Sequence, residues 1–65
     1  MTHWTDETDR EAQVLFATLP EREIRRRQDL CFQQIAAAHA QRNEDALTDL
    51  RRMEDALARS MMERL

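Results

Sequence analysis

The sequence predicts an all-α protein: a short N-terminal helix, then an antiparallel helical hairpin, with two hairpins expected to pair into a dimeric four-helix bundle. Three observations point there. Glycine is absent and Pro20 is the only proline, so the Asn-Gly turns of tight β-hairpins cannot form. Alanine, leucine, glutamate, glutamine, arginine and methionine dominate, and all are good helix formers. Apolar residues recur every three or four positions over two long stretches, the period of a helix that buries one face. The alternative architecture is a monomeric three-helix bundle.

The opening MTHWTDE, residues 1–7, is polar and is expected to fray. Thr8-Asp9-Arg10-Glu11 then matches a capping box, in which the Thr hydroxyl accepts from the backbone N–H three residues on and the Glu reaches back. A short helix over about residues 8–17 should follow. Its apolar residues Ala12, Val14, Leu15 and Phe16, with Leu19 beyond, form a dense cluster and not a stripe. That distribution suits docking against something larger.

Thr18-Leu19-Pro20-Glu21 reads as a second capping box. Proline also disfavours helical geometry in Leu19 and suits the first turn of a new helix. The second helix is expected over about residues 20–41. Its seam collects Ile24, Gln28, Cys31, Ile35, Ala38 and Arg42, alternating steps of four and three. Leu30, Gln33, Ala37 and Ala40 point away from this seam, while Phe32, Ala36 and His39 flank it. A helix that is apolar or small nearly all round touches more than one neighbour. One neighbour is the third helix; the other is the first helix, a second chain, or both.

Asn43 is a good N-cap, and Glu44 and Asp45 put negative charge in the first turn of a third helix over about residues 44–63. Ala46, Leu50, Met53, Leu57 and Met61 form its stripe, with Leu47 beside them. So short a connection makes the two long helices antiparallel. They are matched in length, roughly 30 Å each at a rise of about 1.5 Å per residue.

A chain of 65 residues makes one domain, 1–65. Such a chain buries only roughly 60% of its unfolded surface and is marginal alone. Cys31 is the single cysteine, so no internal disulfide forms, and a free thiol suits the reducing cytoplasm. There is no apolar run near the roughly 18 residues of a membrane span, and the N-terminus lacks the basic and apolar regions of a secretory signal. A cytoplasmic location is therefore expected. Every basic residue is an arginine, a codon signature of GC-rich bacterial genomes. Self-association should supply the missing stabilisation, through Ile24, Cys31, Ile35, Leu50, Leu57 and the second apolar side around Leu30.

The most visible charged feature is Arg22, Arg25, Arg26 and Arg27. Arginines neutralise phosphates, so a nucleic-acid-binding bundle is one reading. Against it, consecutive arginines fan out by about 100° each around a helix. Glu21–Arg25 and Glu23–Arg27 are favourable i,i+4 pairs, the net charge is −3, and tyrosine is absent. The preferred partner is a protein with an acidic surface, meeting Arg22, Arg25 and Arg26. The chain's own TDETD segment could also fold over them. Trp4 could anchor a partner or cap the edge of the bundle.

A metal-binding bundle is a further alternative, drawing on His3, Cys31, His39, Met53, Met61 and Met62. No Cys-x-x-Cys or His-x-x-x-His spacing supports it, and methionines at helical spacing usually fill a core. Neither a metal nor a cofactor is expected. Asp55 should pair with Arg59, while Glu54 falls near the apolar face and could touch Gln28 or an arginine. No base stands near Cys31 by local spacing, and without glycine there is no oxyanion-type loop. These features predict a small adaptor or regulator that binds another protein and catalyses nothing.

Overall fold

A computed structural model describes residues 4–64. Among them the chain is all-helical and has no strand: α1 (Asp6–Thr18), α2 (Glu21–Ala40) and α3 (Glu44–Glu63). Residues 1–3, part of the segment expected to fray, lie outside the described residues, as does Leu65.

Helix α1 begins earlier than its expected start at Thr8. Its N-cap is Thr5, whose hydroxyl accepts from the Thr8 backbone N–H at 3.1 Å. This cap places Asp6, Glu7 and Asp9 together in the first turn, where carboxylates offset the positive end of the helix dipole. Capping from Thr8 would leave Asp6 and Glu7 outside the helix. Residues 5–7, in the segment expected to fray, thus form the cap and the start of the first turn of α1.

The break at Leu19–Pro20 is present, but not as a capping box. Pro20 is the N-cap of α2 and makes no side-chain cap bond. The Thr18 hydroxyl instead donates back to the Leu15 carbonyl at 2.7 Å. The turn into α3 is closed by backbone. Asn43 N–H reaches the Ala38 carbonyl at 2.9 Å and Arg42 N–H the His39 carbonyl at 3.1 Å, the pairing of a Schellman motif. Its left-handed position falls on Arg42, at φ 55°, so Arg42 belongs to the turn and not to the α2 seam. Asn43 caps α3 as its side chain predicts, accepting from Ala46 N–H at 3.2 Å.

Helix α2 packs antiparallel along α3, and α1 docks on α3 rather than across α2. Helix α3 is therefore the common floor. Ile24, Cys31 and Leu57 are fully buried at its centre, with Phe16 and Ala56 closing the cluster. Trp4, Ala12, Leu19, Ile35, Leu50, Met53 and Met61 pack around it. Ala56 and Ser60, one turn apart and both buried, keep the α3 surface low where α1 approaches. Gln13 Nε2 reaches the Ala56 carbonyl at 3.4 Å, and the Arg64 guanidinium donates to the Phe16 carbonyl at the far end.

Candidate protein-binding surface

The arginines of α2 divide into two pairs. Arg25 holds Glu21 at 3.1 Å, and Arg27 lies 3.7 Å from Glu23. Both are the expected one-turn pairs. Arg22 and Arg26 are exposed and make no ion pair among the described residues. They stand one turn apart, and the next step of four is Leu30, a large apolar side chain that is 49% exposed. Arg22, Arg26 and Leu30 thus form one ridge, drifting only about 40° per step around the helix.

The acidic N-terminal segment does not cover this ridge. Asp9 turns to α3, where its oxygens accept from Arg59 Nη2 at 3.0 and 3.2 Å. Arg59 Nε also holds Asp55 at 3.1 Å, as its spacing predicts. Trp4 joins the same corner: its backbone N–H donates to Asp49 at 2.9 Å and its indole N–H to Asp9 at 3.2 Å. Half-buried, Trp4 ties α1 to α3 and caps the edge of the bundle. The reason the segment goes to α3 is reach, because Thr5 caps α1 while α1 already lies on α3.

Between α1 and α2 runs an open groove floored by α3. It consists of two adjoining clefts of about 170 and 280 Å³ that share Phe16, Arg27 and Met53. Leu15, 48% exposed, stands on the α1 rim and Leu30 on the α2 rim. No apolar period in the sequence marks this groove directly. Its indirect sign is the poor stripe of α1, which leaves Leu15 and Val14 without a place in a single buried face.

Of the residues expected to associate, Ile24, Cys31 and Leu57 are sealed inside one chain. They are core and offer no surface to a second copy. Ile35 and Leu50 are half-buried, and Leu30 is the member that remains open. Phe32, on the other flank of α2, is 52% exposed.

Cys31 Sγ donates to the Leu50 carbonyl at 3.3 Å. Burial, and after it the charge of Glu54, push its thiol above the ordinary value of 9.0. A protonated, enclosed thiol is a poor nucleophile. Glu54 makes no hydrogen bond to Gln28 or to an arginine; it sits half-buried near Cys31. His39 borders a separate cleft beside the α2–α3 turn, with Arg42, Glu44 and Arg51, so it does not converge with Cys31. Among the described residues, no three His, Cys, Asp or Glu side chains gather closely enough to hold a metal ion. His3 lies outside them. No described helix is long and apolar enough to cross a membrane.

The chain matches no family model, no curated protein and no solved structure.

Proposed function

We propose that this chain is a non-enzymatic adaptor or regulator that works in the cytoplasm by binding an acidic segment of another protein. The observation that carries the reading is the ridge of α2: two arginines without an acid among the described residues, continued one turn later by a half-exposed leucine. Free cations steer an acidic partner, and an adjacent apolar side chain gives the encounter something to bury. Arg25, engaged by Glu21 but still exposed, borders the ridge. The chain carries this surface as one hairpin of a dimer, the four-helix arrangement its size favours.

The test is capture from native cytoplasm at low and high salt, comparing wild type with Arg22→Glu/Arg26→Glu. Exposed charges contribute about 0–1 kcal/mol each, so the reversed variant should keep its helical circular dichroism. It should lose an acidic partner that wild type retains at low salt and releases at high salt. Unfolding of the reversed variant would make the arginines structural and end this reading. Tight wild-type binding to labelled RNA or DNA at physiological salt, lost on reversal, would transfer the ridge to nucleic acid.

A further inference from the structure

The geometry points to an oxyanion site in the cleft beside the α2–α3 turn, one that takes the phosphate monoester of a small molecule. This goes beyond the capture of an acidic protein. The cleft shares no residue with the ridge of Arg22, Arg26 and Leu30, and His39 lies roughly 20 Å or more along α2 from both arginines at about 1.5 Å per residue.

The lining is the first argument. The cleft has a volume of about 370 Å³ and is bounded by His39, Arg42, Glu44, Leu47, Thr48 and Arg51. Small-molecule sites span roughly 300–1,000 Å³. His39, Arg42 and Arg51 can donate, and they come from the last turn of α2, the turn itself and the body of α3. Donors from several directions suit a tetrahedral dianion with oxygens on every side, whereas one guanidinium already satisfies a planar carboxylate through two parallel bonds. Neither arginine has an acid among the described residues. Arg42 lies outside any helical i,i+4 pairing, and Asp55, one turn on from Arg51, is held by Arg59 at 3.1 Å. Leu47, 8% exposed, gives the cleft an apolar floor. Glu44 is the single carboxylate in the lining. The larger cleft at the Trp4 corner also includes Arg51, but Asp6, Asp9 and Asp55 line it too and disfavour an anion there.

The backbone is the second argument. Among the described residues, Arg42 alone has a positive φ, 55°. Glycine or asparagine holds that conformation more cheaply. An arginine there puts a cation into the lining of the cleft at a cost to the fold, the pattern of strain kept for a functional side chain.

Phenyl phosphate titrated into the isotope-labelled chain, followed by NMR at the arginine side-chain N–H groups, tests the site. It should shift Arg42 and Arg51 saturably and leave Arg22 and Arg26 in place, and acetate at matched ionic strength should shift none of them. Arg42→Gly should weaken binding by about tenfold or more and yet raise the urea midpoint, so loss of fold cannot explain loss of ligand. Arg51→Gln should show the same weakening with an unchanged helical signal. Glu44→Gln should bind tighter, because it removes the negative charge from the lining. Inorganic phosphate should move the same signals at higher concentration, since it leaves Leu47 uncovered. The proposal fails if Arg42→Gly binds phenyl phosphate as wild type does, or if Arg22 and Arg26 shift as much as Arg42 and Arg51. Inorganic phosphate binding as tightly as phenyl phosphate would overturn the monoester and leave the free ion. Tighter binding of single-stranded DNA through the same signals at physiological salt would overturn it in favour of nucleic acid.

Discussion

At φ 55° Arg42 occupies a backbone region that glycine fills at little cost. The chain has no glycine, so the Schellman turn places an arginine there. The left-handed conformation costs a side-chain-bearing residue about 1–2 kcal/mol, partly offset because glycine loses more freedom on folding. Arg42→Gly should therefore stabilise the chain by about 0.5–1 kcal/mol, read from urea unfolding. Thr5 is the opposite case: removing its cap to Thr8 N–H by Thr5→Ala should cost about 0.5–2 kcal/mol. Cys31 carries a pH signature. Its thiol is raised in the folded chain, so the fold favours the protonated form. That contribution is fully present below the unfolded pKa and is lost as pH rises through the folded one. Stability should accordingly fall on the alkaline side of 9.0, and Cys31→Ala should flatten that fall in urea titrations at several pH values.

At the scale of the helices, α3 is the element on which the other two depend. Phe16 is the buried side chain that α1 contributes to the central cluster. Phe16→Ala should cost about 3–5 kcal/mol and release α1 from α3, visible as lost helical signal and weakened protection of α1 amides. The Asp9–Arg59 bridge is half-exposed, so a double-mutant cycle across it should return only about 0–1 kcal/mol. These two contacts also mark the limit of what the sequence discloses. The seams of α2 and α3 were legible, since Ile24, Cys31, Ala38 and Leu57 recur at helical spacing and are buried. Asn43 and the one-turn pairs of Glu21, Glu23 and Asp55 were legible because they are local. The Asp9–Arg59 bridge joins residues far apart in the chain, and no period encodes it. The start of α1 was missed because two threonines three residues apart each offer a cap. What decides for Thr5 is the carboxylate-rich turn that follows it. The groove was missed because it is defined by helices that stand apart, whereas apolar periodicity records where helices meet.

For the whole molecule, the issue is completeness. Ile24, Cys31, Ala56 and Leu57, the fully buried residues, are a small centre for a cooperative fold, and Val14, Leu15, Leu30, Phe32 and Met62 remain substantially exposed. The proposed dimer, a pair of hairpins that presents Arg22, Arg26 and Leu30 outward to an acidic protein, would cover part of this apolar surface. Salt should weaken capture by the arginines, because exposed charges are screened within about 10 Å at ordinary ionic strength. It should leave the apolar contact between the two chains intact. Closure by a second copy also makes thermal stability depend on concentration, through mass action. Sedimentation equilibrium of the wild-type chain from low to high micromolar concentration, paired with melts of the same samples, is the most direct measurement. The arrangement predicts a mass rising to two chains and a melting temperature that climbs with it. A one-chain mass throughout, with a melting temperature independent of concentration, would contradict it and leave a three-helix monomer.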